Sequence, residues 1–364
     1  MTNLTLISPI TKLWDIIIIG GGLAGSSLAY WCSKHQLKVL LLEAGKLGEE
    51  GATAHSRGIV RVYDPDYQLM AHSIKGVECW MDLNQENPGL FSQCGLIYRI
   101  RPENENIARS RIQEFSSSAY PIELISEKQA AKRFSYLNKQ AFHSSNPVIW
   151  EPRGGFVNPS QSACYFAGKA EESGAIIMEK APVTDVVSHT NFASVNVSKG
   201  VRLNARTVVI AAGAHTPSLS QSGQIVSRTI PLSLLATSEK SSPKQCIIDE
   251  VTDSYFRPES STHFFSGGAP YSISNSPETL QWDMHTSHKH HVNVAHRILT
   301  DEITLSGEKK GYDGYTHNYL PVASIDKNIA IFSGFSGRGA KYIPWAAKKF
   351  TFKLFAHIES NRTS

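Results

Sequence analysis

Hydrophobic positions fall into short runs that end at glycine. Residues 14–19 read WDIIII and stop at Gly20. An apolar, β-branched run without alternation is the pattern of a parallel strand buried on both faces. Leu23 to Ser33 carries small residues first and Leu28, Tyr30 and Trp31 later, which predicts a helix. Residues 38–43 (KVLLLE) form a second buried strand. Strand, glycine turn, helix and strand within about thirty residues make a right-handed βαβ unit. The signature returns at residues 206–212 (RTVVIAA), ending at Gly213, and at Ile329 to Ser333, which runs into a glycine cluster. A helix over 160–173 and two alternating runs, 181–187 and 193–197, precede the first of these. A final helix is predicted over about 344–358. Segments 76–149 and 221–310 carry alternating strands, Pro, Ser and aromatics without a glycine fingerprint. They predict a second domain threaded through the first, which takes 1–75, 150–220 and 311–364.

Composition narrows the class. At roughly 150 residues per domain, this chain has room for two. With 41% hydrophobic and 19% charged residues it is neither disordered nor collagenous. A formal charge of +4 argues against nucleic acid as partner. Five widely spaced cysteines without a CxxC argue against a zinc site or a full disulfide set and point to a reducing compartment. No apolar run approaches the roughly 20 residues of a membrane span. The first ten residues lack a basic start and a long apolar core, so no signal peptide is expected. The expectation is a cytoplasmic protein without membrane contact.

Gly20-Gly21-Gly22-Leu23-Ala24-Gly25 fits GxGxxG at the end of the first strand. Gly20 permits the tight turn, Gly22 a close approach to pyrophosphate, and Gly25 the packing of helix on strand. The helix N-terminus then faces the phosphates with free N–H groups and a favourable dipole. Glu43 closes the second strand, beside Ala44, and can accept hydrogen bonds from both ribose hydroxyls of an adenine nucleotide. Its charge would repel a ribose phosphate, which disfavours an NADP-type cofactor. The fingerprint alone does not separate NAD from FAD.

Three further segments resemble the D-amino-acid oxidase superfamily of FAD enzymes, most closely its sarcosine and glycine oxidase branch. The stretch from Gly51 to Arg61, with Thr53, His55, Ser56, Arg57 and Gly58, looks like the loop that passes the flavin. Ala211-Ala212-Gly213-Ala214-His215 is similar to the family's AAGAW strand end. Gly334-Phe335-Ser336-Gly337-Arg338-Gly339-Ala340-Lys341 resembles GFSGHGFK, which wraps the flavin edge. Residues 155–159 (GFVNP) and Val183 match weaker positions. The resemblance implies an α/β fold: a Rossmann-like, three-layer FAD-binding domain of the glutathione-reductase type, with a second, mostly antiparallel substrate domain. Arg338, Lys341 or the backbone of 334–341 would stabilise reduced flavin.

The resemblance also implies a carboxylate clamp of Arg61 and Lys341, with Tyr255 lining the substrate pocket. Two family features are missing. Gly311 stands where relatives carry a flavin-linking cysteine, so FAD is expected to be noncovalent; Asn318 replaces an aspartate nearby. The family's oxygen-activating lysine falls near Ser266, which leaves oxidase or dehydrogenase open; Lys240 or Lys244 could substitute. The histidines from His285 to His296 are read as a substrate-domain feature rather than a metal site. Lys348, Lys349 and Lys353 are read as the solvent side of a helix that packs Trp345, Phe350, Leu354 and Phe355. The expected reaction is hydride transfer from the C–N-bearing carbon of an amino acid or amine to flavin N5, giving an imine. Two other readings fit: a flavoprotein acting on a protein-bound or biosynthetic intermediate, and a low-turnover flavin-binding partner protein.

Overall fold

The computed structural model describes residues 13–220 and 223–363. The signal-peptide reading falls outside them. The first strand, Leu13–Ile19, lies between Val39–Leu42 and Val201–Ile210 and runs parallel to both. Ile176–Met178 extends the sheet beyond Val39–Leu42, and Ile329–Ser333 adds in parallel to the end of Val201–Ile210. Ile16 and Ile18 point to the helical side, packing with Leu28, Phe166, Phe350 and Leu354. Ile17 and Ile19 point the other way, onto Val195, Val197 and Leu203. Both faces are therefore apolar, which is why the strand does not alternate. The helices Leu23–Ser33, Pro159–Glu172 and Ile343–Thr363 form one layer, the parallel sheet the second, and the antiparallel strands Val183–Ser188 and Ala193–Val197 the third.

The C-terminal helix buries Phe350, Leu354 and Ile358 and leaves Lys348, Lys349 and Lys353 in solvent. No helix among the described residues is long and apolar enough to cross a membrane.

The second sheet has nine strands, mostly antiparallel. Its longest ladder pairs Ile225–Ala236 with Thr304–Thr316 from Ile225 opposite Thr316 to Ala236 opposite Thr304. Of the expected domain boundaries, residue 75 lies inside the helix Tyr67–Glu86, residue 149 inside the strand Pro147–Glu151, and residue 310 inside Thr304–Thr316. The 221–310 segment, read from sequence mainly as alternating strands, also contains a helix, Met284–Ile298. His288 and His291 converge from it on one hydroxyl, Ser233 Oγ, at 2.7 and 2.8 Å. His288 Nε2 lies 2.5 Å from Glu308. No group of three or more His, Cys, Asp or Glu side chains suited to a metal occurs among the described residues.

Candidate active site

A cleft of about 880 Å³ opens where the two sheets meet. It lies at the C-terminal ends of the parallel strands, where open α/β sheets place their ligands. Gly20 and residues 22–24, 42–45, 211–215 and 333–341 all contribute to its walls. Gly20 takes φ +107°, and a side chain there would press on Ala211 O. A Cβ on Gly25 would sit 1.9 Å from Gly20 O, so the helix can approach its strand only without one. A Cβ on Gly22 would fill the space in front of Thr53 Oγ1, at 2.8 Å. That hydroxyl accepts the Leu23 amide at 2.9 Å. The Glu43 carboxylate is held by the Gly21 amide at 2.5 Å and the Gly45 amide at 2.8 Å. A glycine cradle, a helix start and a fixed acid are the parts a dinucleotide requires.

Of the site residues expected from the sequence, all but Gly25 and His55 line this cleft. Gly25 serves the packing just described. His55 is half-buried, and its Nδ1 has no partner. Burial, then Lys309 and Arg57, lowers its pKa. A Cβ on Gly311 would come within 2.8 Å of His55 Cβ, so His55 fills the space a larger residue at 311 would need. Asn318 accepts from the Leu320 amide at 3.1 Å and shapes a turn. Ser266 is fully buried with an unpartnered hydroxyl. Neither Lys240 nor Lys244 reaches the cleft: both are exposed, and Lys244 Nζ donates to Glu239 O. Sequence proximity to Ser266 did not bring them near because they lie in the exposed turn before Cys246–Asp249.

The two cations of the expected clamp do come together, but around a residue the sequence reading missed. Asp64 is fully buried. Its carboxylate accepts from Lys341 Nζ at 2.9 Å and from Arg338 at 3.1 and 3.3 Å, and lies 3.5 Å from Arg61. Burial alone would raise its pKa; Lys341, Arg61 and Arg338 overwhelm that and hold it well below the usual range. Burial, then repulsion from Arg61, lowers Lys341 to about 7 in spite of Asp64. Arg61 keeps one terminal nitrogen, Nη1, without a partner. Buried Glu151 also acts on Arg61, and Lys341 is only partly protonated near pH 7, so the feature that suits a second, incoming anion is the free Nη1 of Arg61. Asp64 sits three residues after Arg61, but residues 338–341 reach it only through the fold.

Tyr255 lines the cleft with four aromatics not singled out from sequence: Tyr271, Tyr312, Tyr315 and Tyr319. Asp313 joins them; burial pushes its carboxyl up to about 6, against the Gly337 and Gly314 amides that bond it. Alternation in Thr304–Thr316 puts Asp313 and Tyr315 on one face, a signal readable only once that segment is known to be a strand.

A two-layered junction of a dinucleotide-type α/β unit and an antiparallel sheet, with a glycine cradle and a cationic end, defines a nucleotide-cofactor oxidoreductase. Residues 15–352 match the family model described as FAD dependent oxidoreductase. The chain belongs to that family. Among curated relatives, an N-methyl-L-tryptophan oxidase from Yersinia pestis is 22% identical over 209 residues, 57% of this chain and 55% of that protein. The chain thus matches about half the length of that relative. Among solved structures, L-proline dehydrogenase from P. horikoshii superposes with a TM-score of 0.81 at 18% identity, covering 95% of this chain and 94% of the other. Glycine oxidase from Geobacillus kaustophilus gives 0.78 at 16% identity, covering 96% and 95%.

Proposed function

We propose that the protein oxidises the C–N bond of an amine that carries a carboxylate, with FAD bound noncovalently in the cleft. The observation that carries this reading is the group of Arg61, Lys341 and the half-buried Arg338 around buried Asp64, in the cleft that the glycine cradle also lines. FAD, when bound, supplies the hydride acceptor. Glu43 would hold the adenosine ribose, Leu23 and Ala24 the pyrophosphate, and the 334–341 loop the flavin edge. The unpartnered nitrogen of Arg61 would receive the substrate carboxylate, with the Lys341 ammonium behind it. The cations there also favour the neutral amine, the form able to lose hydride. Gly311 offers no thiol for a flavin linkage.

The test is anaerobic. The yellow protein is mixed with amino acids, N-methyl amino acids and simple amines, and flavin bleaching is followed. Bleaching by carboxylated amines supports the reading; bleaching by none removes it. Acid precipitation should leave the flavin in the supernatant. Arg61→Ala should weaken carboxylated substrates by about 10²-fold in KM, the cost of losing one partner of a buried charge pair. Simple amines should lose little, and equal losses would remove the clamp.

A further inference from the structure

Five cations line the cleft: Arg57, Arg61, Arg228, Arg338 and Lys341. Three of them share Asp64. Arg57 donates to two carbonyls, His55 O and Ala54 O, each at 3.0 Å, and lies over the Phe265 ring. Arg228 differs. Its guanidinium is held between two phenol rings, 3.5 Å from the centre of Tyr271 and 4.6 Å from that of Tyr315. Its buried Nε has no hydrogen-bond partner. Among the described residues no carboxylate forms an ion pair with it. Asp313 stands opposite it in the ladder, but its oxygens accept from the Gly314 amide at 2.7 Å and the Gly337 amide at 2.9 Å. Asp253, on the same wall, is exposed and makes no ion pair with it.

We propose that Arg228 is a second anion-binding position, and that the substrate is an amino acid with an acidic group besides its α-carboxylate. The inference rests on the function proposed above, which uses Arg61 and Lys341 for the first carboxylate. Ring faces attract a guanidinium without using up its N–H donors. They hold the half-buried Arg228 in place, one N–H bonded to the Tyr271 hydroxyl, and leave its buried Nε open to a carboxylate. A guanidinium so placed without an internal counter-ion is a cost to folding unless a ligand repays it. Arg228 and Tyr315 line the same cleft as Arg61, Arg338 and Lys341, so both positions are open to one ligand.

Unreactive acids test this without turnover. Acetate, malonate, succinate and glutarate are titrated into the flavin-loaded protein, and binding is read from the flavin absorbance shift. At least one dicarboxylate should bind about tenfold or more tightly than acetate, the weight of one charge-assisted contact. Arg228→Met should abolish that preference while acetate binds as before, and Arg228→Lys should restore part of it. A wild-type protein with no preference for two acids overturns the inference, as does a preference that survives in Arg228→Met. Loss of flavin from Arg228→Met would assign the residue to the cofactor cradle and also overturn it. Failure of every amine to bleach the flavin is a separate result and removes the proposed function itself.

Discussion

Asp64→Asn should lower folding stability at pH 7 by about 3–5 kcal/mol, the cost of removing one partner from a buried ion pair. Asparagine keeps the shape and removes the charge. Arg61, Arg338 and Lys341 would then face one another with no anion between them. Urea unfolding of the two proteins measures the difference. The sign with pH follows from linkage. The folded carboxyl lies well below its unfolded value of about 3.9, so its contribution is complete above about pH 4 and fades as the pH falls further. The gap between wild type and variant should therefore shrink in acid. Lys341 has the same sign in a higher window. Its folded value of about 7 lies below the unfolded value of about 10.4, so its contribution to stability rises with pH across that window. A loss under about 1 kcal/mol at pH 7 would place the cluster with solvated surface pairs and end the argument for a buried clamp.

Gly25→Ala should yield a protein that no longer retains its cofactor. The added methyl would lie 1.9 Å from Gly20 O, a backbone atom that cannot swing aside. Helix Leu23–Ser33 must then move off the strand, and the Leu23 amide leaves Thr53. Overpacking of this kind costs about 1–3 kcal/mol in stability. The larger effect falls on the cradle, since a shift of about 1 Å in a positioned site can cost 10²-fold. FAD titration of the apoprotein, followed by quenching of flavin fluorescence, should show a Kd weaker by about that factor. Wild-type retention in this variant would mean that the turn does not hold the dinucleotide.

How much could be read in advance depends on how local the cause is. Helix Leu23–Ser33 has the bounds expected, because a glycine turn starts it and the apolar face of one helix defines it. Ile329–Ser333 was legible for the same reason. Helix Met284–Ile298 was not: histidines fill much of it, and its inward face of Ser287, His291, Val294, Ala295 and Ile298 includes a histidine held by Ser233, 58 residues away. Residues 75, 149 and 310 fall inside one helix and two strands, because composition along the chain does not mark where hydrogen-bonded elements end. Asp64 looked like a loop aspartate before Pro65, and its burial depends on Lys341, 277 residues on. Arg228 was one residue in an alternating run until Tyr271 and Tyr315 closed over it.

The sequence by itself determined the parallel βαβ core and the glycine cradle with its acid, because each is written in a few neighbouring residues whose backbone freedom and polarity leave little choice. The tertiary structure decided the charge state of the site. Whether a cation is compensated by Asp64, tied to a carbonyl, or held between two rings depends on which distant segments meet. Coulomb energy in a dry cleft falls with distance in space, and nothing in chain order records that distance.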